Sequence, residues 1–175
     1  QVVDLSLKKR TLDKVITEAE KDDLVDTIIV KTQGFVNGNI KEGDKNPVSI
    51  FRNLLALYKG IDRDQLRENM RYFLAAIMPV CEEYGVNMCV HPDDPPFQIL
   101  GLPRIVTDGE DIAWFLNAVD NPHNGLTFCA GSLSAGEHND TRELAKRFAK
   151  RTHFVHLRST KAMPGGNFIE SPHLE

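Results

Sequence analysis

The sequence has no excess of basic charge. Lys and Arg number 21 against 25 Asp and Glu, giving a net charge of −4 and a pI near 5.9. A nucleic-acid surface needs a clustered positive footprint, so nothing here points to such a partner. Long hydrophobic runs are missing as well. The longest, Phe73–Cys81, spans about nine residues and includes Pro79, whereas a membrane-spanning helix takes about 20. Cysteine is scarce and odd in number. Cys81, Cys89 and Cys129 lie in apolar surroundings, which argues against a disulfide framework and for a reducing cytoplasm. No internal repeat or low-complexity tract stands out. Gln1 is neither an initiator Met nor part of a signal peptide, so the chain reads as beginning inside a gene or after a missing segment.

What is present is a soluble, globular composition: 41% hydrophobic and 26% charged over 175 residues, enough for one domain with a real core. Leu5–Lys14 and Glu18–Val30 carry scattered Leu, Ile and Val among charges, which predicts two modest helices. Residues 33–47, QGFVNGNIKEGDKNP, predict a long surface loop or flap, and loops of that length tend to be lids or disordered. The strongest helical signal runs from Asp64 to Tyr84. Leu66, Met70, Phe73, Leu74, Ile77, Cys81 and Tyr84 recur at three- and four-residue steps, a stripe suited to core packing. Asp64 is the expected N-cap and Gly85 the C′ residue. Pro79 should kink the last turns.

From Gly85 onward the order is strand, helix, strand, helix, strand. VNMCVH (86–91), GLTFCAGS (125–132) and THFVHLRST (152–160) are the strands, with helices at about 108–118 and 140–150. Helices of this kind supply the crossovers that parallel strands require. The strands end alike. His91 closes the first, Cys129 comes near the end of the second and His156 near the end of the third. Carboxyl ends of parallel strands carry the chemistry of α/β folds, and His and Cys both suit borderline transition metals. Spacings of 38 and 27 residues fit neighbouring βα units and not a zinc knuckle. Each residue also has a plain structural reading, as a small buried thiol or a satisfied core imidazole; their shared position makes convergence on one ion the sharper alternative. Around these ends lie Asp93 and Asp94, Ser132 and Ser134, and Arg158 and Ser159. Arg158 has the planar fork that holds a carboxylate, or equally a structural ion pair. Asp93 and Asp94, beside Pro92, Pro95 and Pro96, also suit turn chemistry. His123, His138, His153 and His173 fall in loops, a strand start and the tail, where surface or structural roles are expected.

Five blocks, YKGIDRDQLRENMRYFLAAIMPV, VHPDDPP, ILGLPRIV, FCAGS and HFVHLRST, occur in the order of the mannonate dehydratase family, and the stretch 54–160 resembles it. The resemblance implies an α/β fold of the xylose-isomerase-like (β/α)8 TIM-barrel type. About three central strands and their helices would lie in 51–175, the central part of an incomplete barrel. Residues 1–50 would form an N-terminal helical insertion and loop. It also implies a hydro-lyase that dehydrates D-mannonate to 2-dehydro-3-deoxy-D-gluconate in hexuronate breakdown, with a divalent cofactor, Mn2+ or Fe2+. Carried over residue by residue, its metal ligands fall on His91, Cys129 and His156. Arg158, Ser132 and Asp93 become the candidates for binding the sugar acid. The family's further acidic ligand, an Asp tied to proton transfer, stands in a block beyond Glu175. A homo-oligomer, a dimer or larger, is implied, with neither nucleic acid nor membrane as partner. The rival readings are another xylose-isomerase-like isomerase or epimerase, a nuclease of the same superfamily, and an inactive fragment lacking the catalytic Asp.

Overall fold

The computed structural model describes Thr17, Ala19, Glu20, Asp23, residues 47–164 and residues 166–173. The helices expected at 5–14 and 18–30 and the loop at 33–47 fall almost wholly outside these positions. Thr17 and Glu20 form a reciprocal capping box. The Thr17 N–H and hydroxyl donate to Glu20 Oε2, each at 2.7 Å, and the Glu20 N–H reaches Thr17 Oγ1 at 3.3 Å. Each side chain thereby satisfies a backbone donor of the first turn. The chain divides into two compact units, one ending at Gly60 and the other beginning at Ile61. In the first, α1 (Pro47–Ala56) is a helix that the sequence patterning did not suggest. Proline opens it, where the missing N–H is no loss.

The second unit begins with α2 (Arg63–Tyr84). Its N-cap is Asp62, whose side chain accepts from Gln65 N–H at 2.8 Å; the expected cap, Asp64, lies inside the first turn. Gly85 ends the helix at φ 62°, the left-handed position that favours glycine. Leu74, Met78 and Cys81 are the buried residues of α2. Phe73 and Tyr84, expected inside, are half or more exposed. Each residue turns the helix by about 100°, so Phe73 points well away once Leu74 faces the core.

Then come β1 (Met88–Val90), α3 (Gly109–Ala118), β2 (Asn124–Cys129), the short α4 (Ala130–Ser134), α5 (Thr141–Phe148), a 3-10 turn at Ala149–Arg151, and β3 (Thr152–His156). The strands form a parallel sheet in the order β1-β2-β3. Asp108 and Asp140 cap α3 and α5 by accepting two backbone N–H groups each. All six residues of β2 are buried, as befits a central parallel strand.

Successive side chains of a strand face opposite ways, and here the two faces have different company. Leu126 and Phe128 join Ile112, Phe115, Leu116, Leu144 and Phe148 in the main core against the helices. A second cluster of Leu74, Met78 and Cys81 packs on Met88 and Val90. The other face carries Thr127 and Cys129, opposite Phe154 and His156 in register. The expected third strand is shorter than its sequence block. It ends at His156, and the chain re-forms as an antiparallel hairpin of β4 (Thr160–Met163) and β5 (Asn167–Glu170).

Candidate metal centre

Cys129 and His156 are register partners on β2 and β3, and His91 follows the last residue of β1. One ligand atom from each, two imidazole nitrogens and a sulfur, lies within 4.8 Å of the others. The two imidazole rings are 6.0 Å apart between centroids. Cys129 is buried, while both histidines are exposed. The set is closed at its base by the strand and open above.

The hydrogen bonds around these atoms suit a cation. Pro92 has only a carbonyl to offer, and its oxygen stands 2.7 Å from His91 Nδ1. A carbonyl accepts, so Nδ1 must carry the proton and Nε2 keeps its lone pair for a metal. Fixing the tautomer through the second nitrogen is the usual way a protein orients a histidine ligand. Cys129 Sγ receives the Ser132 N–H at 3.4 Å and the Ser132 hydroxyl at 3.1 Å, and lies 3.3 Å from His156 Nδ1. These donors fix the direction of the sulfur's lone pairs, and the thiolate is the ligand form of cysteine. Two imidazoles and one thiolate with an open side fit a borderline divalent ion that keeps positions free for substrate. Cys89 is different. Burial pushes its thiol pKa up, with a partial opposing effect from a hydrogen bond to Thr127, and it lies outside the cluster.

The other singled-out residues divide by what they touch. Asp93 is turned into its own loop: Oδ2 accepts the N–H groups of Ile105 and Val106, each at 2.8 Å, and Oδ1 meets Arg104 at 3.4 Å. Ser132 is fully buried, and its hydroxyl also lies 3.3 Å from Asp94 Oδ2. Arg158 is held by two carboxylates. It pairs with Asp94, and its Nε donates to Glu170 Oε1 at 2.7 Å. Glu170 comes first among the causes that raise the Arg158 pKa; burial opposes it, and Asp94 adds to it. The same bond holds the Glu170 carboxyl below the ordinary carboxylate value. A cavity of about 420 Å3 opens beside Arg158, lined also by Ala130, Leu157, Ser159 and His173.

Sequence reading missed Glu170 and gave His173 only a surface or structural role in the tail, whereas it lines the cavity. The hairpin brings them in: the Ser171 N–H donates to Ser159 O at 3.0 Å, and the two serine hydroxyls lie 3.2 Å apart. The alternation in NFIE was the only signal available, and it is four residues long. Ser134, paired with Thr160 Oγ1 at 2.6 Å, ties the same hairpin to α4.

A family model described as D-mannonate dehydratase (UxuA) matches residues 5–175. Mannonate dehydratase of Lactococcus lactis subsp. lactis (strain IL1403) is 46% identical over 131 residues, covering 73% of this chain and 37% of that protein. Mannonate dehydratase of Thermotoga maritima is 41% identical over 162 residues, covering 91% of this chain and 44% of that protein. The crystal structure of mannonate dehydratase from Streptococcus suis serotype 2 superposes with a TM-score of 0.66 at 37% identity, over 77% of this chain and 38% of that one. The chain thus spans less than half the length of these relatives. Shared blocks along nearly all of its length, together with a solved relative of the same fold, place it: the chain belongs to the D-mannonate dehydratase family.

Proposed function

We propose that this chain is the metal-bearing portion of a dehydratase that converts D-mannonate to 2-dehydro-3-deoxy-D-gluconate. The observation that carries the reading is the meeting of His91, Cys129 and His156 within 4.8 Å, at the carboxyl ends of three adjacent parallel strands. In this reading 51–175 is the central part of a xylose-isomerase-like (β/α)8 barrel and 1–50 an insertion. A closed barrel typically takes about 250 residues, so these residues would form part of one. The protein works as a homo-oligomer in the cytoplasm, with no nucleic-acid or membrane partner.

Loss of water from a 2,3-dihydroxy acid begins at the proton alpha to the carboxylate, and negative charge builds on the carboxylate oxygens. A bound divalent ion, Mn2+ or Fe2+, supplies Lewis acidity there and at the departing hydroxyl. His91, whose Nδ1 is held by Pro92 O, would offer Nε2 to such an ion, and Cys129 and His156 would be its other protein ligands. Arg158 is the sugar-acid contact among the earlier candidates, because it lines the open cavity. Ser132 and Asp93 frame the site instead: one is buried beneath it and the other is spent on its loop. By family resemblance the alpha proton is moved by an Asp, and none of the described residues is assigned that role.

The test is Cys129→Ser in the full-length protein, with bound metal and D-mannonate turnover measured together. Metal content should fall at least tenfold and turnover with it. Full metal occupancy in the variant would remove Cys129 from the site, and turnover of a ketose in preference to D-mannonate would move the protein to an isomerase.

A further inference from the structure

Ser132 has an odd place for a residue next to an open site. Its side chain has no solvent exposure, yet it touches two functional groups: Cys129 Sγ at 3.1 Å and Asp94 Oδ2 at 3.3 Å. A hydroxyl has one proton and can donate to one acceptor at a time. Which acceptor receives it is decided by what else each has. Asp94 Oδ2 is already engaged by the Arg158 guanidinium. The arginine reaches it by laying its stem across Gly131, where an added Cβ would meet Arg158 Cγ at 2.4 Å and Cδ at 2.7 Å. With its lone pairs served by a cation, Asp94 competes weakly for the serine proton, and the sulfur takes it. The Ser132 N–H adds a second donor to the same sulfur.

We propose that Ser132 is a positioning residue for the metal centre, which fixes and tunes the Cys129 sulfur, and that the Asp94–Arg158 pair sets its hydroxyl toward that sulfur. The proposal rests on the reading of Cys129 as a ligand. Two donors on a thiolate lower its electron density and hold its lone pairs in one direction. The ion is then bound by a sulfur of fixed aim and moderated softness, and Arg158 acts on the metal from a residue away without touching it.

The experiment uses the full-length protein loaded with Co2+, whose thiolate charge-transfer band reports the electron density on sulfur. Titration of the metal gives its affinity in parallel. Wild-type protein should show the band. Ser132→Ala removes the hydroxyl donor: the band should move to longer wavelength and the Co2+ Kd rise about tenfold. Arg158→Leu strips Asp94 of its cation, so the carboxylate draws the serine proton away and the band should again move to longer wavelength. Asp94→Ala alone should leave the band in place, because the sulfur already holds the proton, and added to Arg158→Leu it should bring the band back. A mere loosening of the fold would not be reversed by a second substitution. If Ser132→Ala does not fold, Arg158→Leu with and without Asp94→Ala carries the test. A band unmoved in both Ser132→Ala and Arg158→Leu overturns the role of Ser132 and leaves Cys129 a ligand. A wild-type protein that binds Co2+ with no thiolate band overturns the underlying reading instead.

Discussion

Two aspartates show how one side-chain type serves different ends. Asp93 holds a loop by accepting backbone N–H groups. Asp111, almost wholly buried, holds elements together: Oδ2 accepts the Thr107 N–H at 2.9 Å and hydroxyl at 2.7 Å, and Oδ1 meets Arg63 and Arg67 of α2. Arg67 also lies over the Trp114 ring, 4.9 Å from its centroid. Burial pushes the Asp111 carboxyl up. The Thr107 hydrogen bonds, the Arg67 bond and the Arg63 charge more than offset this, and the net pKa lies below the ordinary 3.8. A carboxylate whose folded pKa is depressed stabilises the fold fully above its unfolded value and loses that contribution as pH falls through the folded one. Asp111→Asn should therefore cost about 3 kcal/mol at pH 7, since it leaves buried donors without a charged acceptor. The gap between variant and wild type should close as pH drops below about 3.8. Urea denaturation across pH checks both; a gap that persists unchanged in acid would show that the charge of Asp111 is not what holds α2 to α3.

Helix boundaries were readable where a single residue decides them. Gly85 at positive φ follows directly from its chemistry, and the starts expected at about 108 and 140 are the positions where Asp108 and Asp140 prove to cap their helices. Asp62 against Asp64 was not decidable from sequence, because both can cap and the choice depends on where Arg63 begins to wind. The end of α3 falls at Ala118, as the sequence led one to expect, but the way it is capped was opaque. It has no glycine: the C-cap is Val119, in extended backbone. Its last carbonyls are met from outside the helix. Asn124 Nδ2, on fully buried β2, donates to Phe115 O and Val119 O, both at 3.0 Å. Arg151 reaches Leu116 O at 3.5 Å and Asn121 O at 2.7 Å. A cap supplied by another element leaves no local signature. Asn124→Ala should destabilise the protein by about 2 kcal/mol, the cost of stranding buried carbonyls, with the denaturation midpoint lowered and its slope unchanged. A loss under about 0.5 kcal/mol, the size of a neutral surface change, would mean that water reaches these carbonyls.

At the scale of the whole molecule, the sequence order of strands and helices already implied a parallel sheet, and the ends of those strands already marked His91, Cys129 and His156. What it hid was the hairpin. Ser159 and Thr160 read as the tail of a strand because nothing local says that the chain will leave the sheet at His156, and Glu170 meets Arg158 only after the turn. The same strand shows what the sheet needs. Among the described residues β3 pairs on one side only, with β2, and Phe154, Val155 and Leu157 are 59%, 52% and 72% exposed. An apolar, unpaired parallel edge is a template for another strand, and in a closed barrel it would be covered by the next one. A polypeptide of residues 1–175 alone should therefore self-associate at micromolar concentration, seen by light scattering. Val155→Lys, which puts a charge on the edge, should reduce that association severalfold. Were β3 covered by a further strand, as in the barrel proposed above, the same substitution should instead destabilise, because it would bury the lysine. Association of the short chain that is indifferent to Val155→Lys would place the sticking surface elsewhere and remove β3 as the sheet's open side.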